Sequence, residues 1–242
     1  MISTTQVGAF FDIDGTLLPG PSLEWRFIAY LMRRREIALR NAWRWLTQAA
    51  IGFAVRPSAA ARGDKSYLRG LRESLIREWE KSLTSDKLPL TPAGISQIEW
   101  HLTRGHQVFF VSGTLEPLAR VLVRQVGCEI GVRATRLESR RGHWTGAIAG
   151  RYMDGDEKLE AVRGLGRKQN LSLAESYAYG NSIEDAPMLG AVGHPTAVKA
   201  TWRLALVTRR RGWATRSWSA EPRRAKEQPA GGQPSVAFRK AP

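Results

Sequence analysis

Phe10-Phe11-Asp12-Ile13-Asp14-Gly15-Thr16-Leu17 is the stretch on which the reading of this chain turns. With the residues before it, positions 7–13 make an apolar run of strand length that breaks at Gly15, which predicts a short buried β-strand ending in a turn. In doubly wound α/β folds, ligands sit beyond the carboxyl ends of the strands, and Asp12 and Asp14 fall there. They alternate by two, yet a turn at Gly15 can bring both to one site. One carboxylate can then attack phosphorus while the other trades a proton with the leaving oxygen. The same residues also suit an Asx-type turn with no chemistry. The decision rests on what accompanies them.

Downstream, the pattern first turns helical. Trp25, Ile28, Leu31 and Met32 recur at helical spacing, as do Trp43, Leu46 and Ala50, then Leu71, Leu75 and Trp79. Gly52, Pro57 and Gly63 punctuate this block, Pro89 and Pro92 close it, and Thr91 suits the N-cap of a helix running to Leu102. Strands and helices then alternate. The expectation is a strand at 107–111, a helix at 115–126, a hairpin over 131–149 around Arg141-Gly142 and a helix at 158–165. A strand at 176–179, a helical turn at 186–189, a strand at 196–198 and a helix at 202–211 stopped by Gly212 follow. Such alternation predicts a Rossmann-like parallel sheet covered on both faces. The helical block interrupts it directly after the first strand. The expected organisation is therefore an α/β core over 1–19 and 96–218, a helical cap inserted at 20–95, and a disordered basic tail at 219–242.

Three further motifs fall near strand ends or helix starts. Ser112-Gly113-Thr114 offers a hydroxyl, a permissive glycine and a helix N-terminus able to bind an anion, although it is also an ordinary strand-to-helix turn. Lys158 opens a helix after Asp154-Gly155-Asp156-Glu157 and can neutralise a phosphoryl oxygen; alone it reads as a solvated lysine. Gly180-Asn181-Ser182-Ile183-Glu184-Asp185 carries oxygen-bearing side chains four apart, a donor type suited to Mg²⁺, or else a helix cap.

The chain has 242 residues with 37 Lys+Arg against 22 Asp+Glu, a net charge of +15. With 43% hydrophobic residues it excludes wholesale disorder. Cys128 is the one cysteine, which excludes a disulfide framework and a Cys-rich zinc site. The first seven residues lack the marks of a signal peptide, and the most apolar stretch, 45–55, falls short of the ~20 residues a spanning helix needs. The expected compartment is the cytoplasm. The excess charge sits in 20–95 (14 basic, 7 acidic) and 202–242 (10 basic, 2 acidic), favouring anionic partners.

Together, Asp12-x-Asp14-Gly-Thr, Ser112, Lys158 and Gly180-Asn-x-x-x-Asp185 resemble, in order and spacing, the four motifs of the haloacid dehalogenase superfamily. His143-Trp144-Thr145-Gly146 and the stretch from Asp185-Ala-Pro-Met-Leu189 to Gly193-His194-Pro195 are similar to its phosphoserine phosphatase-like branch. The resemblance implies a Mg²⁺-dependent phosphomonoester hydrolase working through an aspartyl-phosphate. Asp12 would be nucleophile and Asp14 acid, then base. Ser112, Gly113, Thr114 and Lys158 would hold the phosphoryl group. Mg²⁺ would sit among the Asp12 carboxylate, the Asp14 carbonyl, Asn181 and Asp185. Where the family usually has Asp this chain has Asn181, an uncharged ligand, with Asp185 or Glu184 able to compensate.

Two other readings stay open on sequence alone. One is a phosphate-binding or membrane-peripheral protein with little turnover, associating weakly with anionic membranes through the basic cap and tail. Trp43 and Trp45 among Arg40 and Arg44 fit an interfacial face, but fit the packing of a cap better. The other is a nucleic-acid binder, which no recognised module supports. His101, His106, His143 and His194 look too scattered for a metal trio. Arg209-Arg210-Arg211 fits a solvated helix end. Ser22 and Glu24 suit capping and substrate contact equally.

Overall fold

Parallel pairing of the first apolar run with strands far along the chain organises the molecule. The computed structural model describes residues 5–38, 41, 43, 47, 65–83 and 87–218. Strand β1 (Gly8–Phe11) lies between β2 (Gln107–Leu115) and β6 (Tyr177–Gly180). Six strands form one parallel sheet in the order β3-β2-β1-β6-β7-β8, with β3 at Gly131–Thr135, β7 at His194–Val198 and β8 at Ala214–Arg216. Successive side chains of a strand point to opposite faces. Phe11, Val108, Phe110 and Tyr179 accordingly join one core with helices α1 (Leu23–Arg33), α2 (Leu75–Ser82), α3 (Pro92–Leu102) and α4 (Glu116–Val126). Phe10, Phe109, Val111, Ala178 and Ala197 face the other core, with α5 (Gly155–Lys168), α6 (Ala186–Leu189) and α7 (Trp202–Arg211). The expected α/β architecture is present.

Several details differ from the sequence reading. Strand β2 runs on through Ser112-Gly113-Thr114 to Leu115 rather than ending at Val111, with an irregular register between Ser112 and Leu115, and α4 begins at Glu116, one residue after the expected start. Residues 131–149 are not one hairpin. Gly131–Thr135 pairs in parallel with β2, and only β4 (Leu137–Arg140) and β5 (His143–Ile148) form an antiparallel pair. Arg141 (φ 52°) and Gly142 (φ 75°) join them, both left-handed as a two-residue hairpin turn requires. The sequence reading lacked β8, three exposed residues with no periodicity.

The inserted segment departs in its faces. On α1 the buried side is Leu23, Phe27, Ile28, Tyr30 and Leu31, while Trp25 and Met32 are exposed. Leu71 is buried but precedes α2. Trp43 is exposed rather than packed. Thr91 occupies the N-cap of α3 without bonding it, and its buried hydroxyl has no partner among the described residues. Leu46, Ala50, the breaks at Gly52, Pro57 and Gly63, and the tail 219–242 lie outside the described residues. The return of the insertion docks on the hairpin: Gly70 N–H donates to Trp144 O and Trp144 N–H to Leu71 O, and Arg72 bridges His143. Gly146 (φ 83°) lets the backbone of Lys65 and Ser66 approach.

Three of the four histidines read as scattered meet beside α3. His101 is fully buried, 2.8 Å by Nδ1 from Nδ1 of His106 and 2.9 Å by Nε2 from the Tyr179 hydroxyl. Burial above all, then the charges of His106 and Arg104, push His101 down to about 3. It stays neutral in the fold, whereas an unfolded histidine takes a proton below about 6.5. Its contribution to stability is therefore complete above pH 6.5 and is lost as pH falls from there toward 3. His101→Gln is expected to flatten the fall of the unfolding free energy, read from urea denaturation, between pH 7 and 5 by on the order of 1 kcal/mol. Equal slopes in the two proteins would remove His101 from this account.

Candidate active site

Asp12 follows β1 and is buried, its N–H bonded to Tyr179 O across the sheet at 2.9 Å. Its Oδ1 lies 2.7 Å from Lys158 Nζ, and its Oδ2 accepts from the Thr16 hydroxyl at 3.2 Å. Burial, opposed by Lys158 and reinforced by Asp185, pushes the Asp12 carboxyl up to about 7. Asp14 is half-buried, and its Oδ1 accepts the Leu23 N–H at 2.7 Å, tying the first turn of α1 to the motif. Burial pushes Asp14 up to about 6 against that hydrogen bond. The turn directly after them requires glycine: Gly15 has φ 82°, and a Cβ there would overlap the Asn181 amide.

Lys158, near the start of α5, bridges Asp12 and Asp185, with Nζ 2.5 Å from Asp185 Oδ1. Burial acts to lower its pKa, but Asp12 and Asp185 override this and hold it above the usual lysine range. Asp185 is fully buried, and its Oδ2 accepts the Asn181 N–H, the Ser182 N–H and the Ser182 hydroxyl, each at 2.9 Å. Both its oxygens are engaged by donors. A Cβ on Gly180 would come within 2.5 Å of Asp185, so that glycine admits the carboxylate.

These residues border a cavity of about 210 Å³ lined by Asp12, Asp14, Ser112 to Thr114, Tyr152 to Asp154, Lys158, Asn181, Ser182 and Glu184. Every candidate catalytic, phosphate-binding or metal residue expected from the sequence lines it except Asp185, whose oxygens are taken by Lys158, Asn181 and Ser182 instead. Ser112 and Thr114 are buried at its wall, with the Thr114 N–H 3.4 Å from Ser112 Oγ. Tyr152, Met153 and Asp154 were not singled out. The one signal for them was Asp154 directly before Gly155, where it sits at the N-cap of α5. Of the two cap-base residues, Ser22 caps α1 through the Trp25 N–H at 3.2 Å. Glu24 instead binds Lys65 Nζ at 2.6 Å and accepts from the Tyr67 hydroxyl at 2.7 Å. A larger cavity, of about 780 Å³, lies elsewhere against β6, β7 and β8; Gly193, His194 and Pro195 line it, and none of the candidate catalytic, phosphate-binding or metal residues does. The smaller one gathers the candidate site residues.

The donor set fits Mg²⁺. Every candidate ligand is oxygen, from Asp12, the Asp14 carbonyl, Asn181 and Glu184. Asp12 and Asp185 share the single ammonium of Lys158, and burial raises both Asp12 and Asp14. Among the described residues no three His, Cys, Asp or Glu side chains cluster as a metal site. Such a site would thus rely on neutral oxygens and water beside one or two carboxylates.

The chain is similar to known proteins. The chain is 31% identical over 220 residues to phosphoserine phosphatase SerB1 of Mycobacterium tuberculosis, covering 87% of this chain and 70% of that protein. It is 28% identical over 141 residues to a phosphoserine phosphatase of Lactococcus lactis, covering 56% and 65% respectively. Among solved structures, a protein of unknown function from Bordetella pertussis superposes with a TM-score of 0.73 at 25% identity, covering 88% of this chain and 98% of the other. A phospho-aspartyl intermediate analogue of a phosphoserine phosphatase shares the fold, with a TM-score of 0.56 at 20% identity and coverages of 84% and 90%. The model of the haloacid dehalogenase-like hydrolases matches residues 9–190, from β1 through α6 and across all four motifs, and the chain belongs to that family.

Proposed function

We propose that this hydrolase is a Mg²⁺-dependent phosphomonoesterase, phosphoserine phosphatase-like, that acts through an aspartyl-phosphate. The observation that carries this reading is Asp12 held 2.7 Å from Lys158 at a cavity walled by Ser112, Gly113 and Thr114. An Asp12 oxygen attacks phosphorus, the bond to the leaving oxygen breaks, and Asp14 supplies that oxygen's proton. Water then attacks the aspartyl-phosphate, gives its proton to Asp14, and inorganic phosphate leaves with Asp12 restored. An Asp14 carboxyl raised to about 6 holds and returns a proton near neutrality. Lys158, Ser112 and the Gly113-Thr114 backbone position the phosphoryl oxygens and neutralise their charge, which is most of what phosphoryl transfer asks of a protein. Mg²⁺, when bound, shields the anionic nucleophile from the anionic phosphate.

In this reading 1–19 and 96–218 form the catalytic core, and 20–95 form a cap that sets specificity for a small phosphomonoester. The half-buried Cys128, a free thiol, suits a reducing cytoplasm. Asp185 acts as a positioning residue for Lys158, since neither of its oxygens faces the cavity. Of the anionic-membrane association expected from the sequence, the exposed Trp25, Met32 and Trp43 are the support. No helix of the described residues is long and apolar enough to cross a membrane. Co-sedimentation with anionic vesicles at low salt tests it.

Release of phosphate from p-nitrophenyl phosphate, with Mg²⁺ and with EDTA, tests the main reading; no release in either condition supports the phosphate-binding alternative. Asn181 supplies a second test. If its oxygen meets Mg²⁺, Asn181→Asp adds a full charge beside a divalent cation, worth on the order of 1 kcal/mol. The Mg²⁺ concentration at half-maximal activity is then expected to fall roughly tenfold. An unchanged half-saturation would move the ligand role to Glu184.

A further inference from the structure

The 780 Å³ cavity shares no lining residue with the reacting site and is bounded by α3, β6, β7, the end of α7 and β8. Its size suits a small-molecule ligand, and two features of its walls define what it would take. The first is a ladder of stacked rings. His106 lies on Tyr177 with centroids 5.7 Å apart at 21°, and Tyr177 on His194 at 4.5 Å and 20°. The ladder ends on His194, which is exposed at the cavity and has no further ring against it among the described residues. The second feature is charge. Arg211 and Arg216 are exposed at the same cavity, and neither makes an ion pair among the described residues. The chain from Ala186 to Ala220 carries Lys199, Arg203, Arg209, Arg210, Arg211 and Arg216 and not one Asp or Glu. Arg211 also lies over the Trp213 ring, 5.3 Å from its centroid, a placement that orders the guanidinium.

A flat ring face and two guanidinium groups at one cavity, without carboxylate partners among the described residues, suit a base joined to phosphates. We propose that this cavity binds a nucleotide, its base stacked on His194 and its phosphates on Arg211 and Arg216. Arginine forks suit phosphate oxygens, and aromatic faces accept any base. Inorganic phosphate satisfies only half of the site, so the proposal is specific to a base joined to phosphates. The site also adjoins the candidate active site through one strand. Tyr179 lines the cavity, its carbonyl holds the Asp12 N–H, and Asn181 follows two residues later. A nucleotide here would act as an effector of the hydrolase rather than as its substrate.

Calorimetric titration of ATP into Asp12→Asn protein, with EDTA and excess inorganic phosphate, isolates this cavity from the reacting site and needs no turnover. One ATP per chain is expected. The double variant Arg211→Gln/Arg216→Gln, substituted at exposed positions, is expected to weaken binding by roughly tenfold or more. Tripolyphosphate is expected to bind more weakly than ATP, and His194→Ala to abolish that preference while leaving tripolyphosphate binding unchanged. The proposal is overturned by displacement of ATP by phosphate, by arginine variants that bind as the parent does, or by tripolyphosphate binding as tightly as ATP. It is also overturned if duplex DNA binds more tightly than ATP through the same arginines, which would make the surface a nucleic-acid contact.

Discussion

Asp12→Asn is expected to lower kcat for p-nitrophenyl phosphate by roughly four orders of magnitude or more, the scale of losing a covalent nucleophile. An amide oxygen cannot attack phosphorus and be regenerated by water. The protein is expected to remain folded, because Lys158 keeps its 2.5 Å contact with Asp185. The substitution also removes a carboxyl that burial already raises to about 7, so the native state gives up a charge it holds unfavourably. A melting temperature within a few degrees of the parent, together with no phosphoenzyme after acid quench, is the expected pair of results. Turnover above a hundredth of the parent in a clean preparation would exclude Asp12 as nucleophile. Asp14→Asn offers the contrast, since it leaves the nucleophile but removes the base. Phosphoenzyme is then expected to form slowly and persist.

Asp185→Asn should show the largest loss of stability. All four groups on this carboxylate are donors: Lys158 Nζ on one oxygen, the Asn181 and Ser182 N–H groups and the Ser182 hydroxyl on the other. Asparagine has one acceptor oxygen, so whichever way its amide turns, an NH₂ faces a donor. Breaking one side of a buried ion pair typically costs about 3 kcal/mol or more. Urea denaturation in EDTA is expected to show a loss of that order. Activity should fall as well, since Lys158 loses the partner that aims it at Asp12. If Asp185 instead served the metal, stability in EDTA would be unchanged and only the Mg²⁺ requirement would rise. That result would return Asp185 to the ligand set and remove its positioning part.

Local signals carried a good deal of this. The strand before Asp12 and the turn at Gly15 are legible because a short apolar run and a glycine leave little choice of backbone. Residues 186–189 and 202–211 have the helical bounds expected, and Gly212 takes the left-handed conformation at φ 65° that ends a helix. In each case the deciding interactions lie within a few residues along the chain. The four motifs were legible for another reason. Strand ends in a parallel sheet converge on one edge, so chemistry-bearing residues placed after successive strands meet without the sequence saying how.

What remained illegible depended on partners far along the chain. Nothing local distinguishes 131–135, which pairs with β2, from 137–140, which pairs with β5, because both read as short alternating strands. Three histidines that look scattered, His101, His106 and His194, gather around Tyr177 only when α3, β6 and β7 pack together. Glu24 finds Lys65 across 41 positions. The sequence by itself determined the parallel α/β core and the order of residues that arrive at its edge, since periodicity and turn chemistry are local properties. Only the tertiary structure decided which oxygen faces the cavity and which faces a lysine. Asp185 shows the difference: a carboxylate's role follows from the donors that surround it, and those donors come from segments that folding alone brings together.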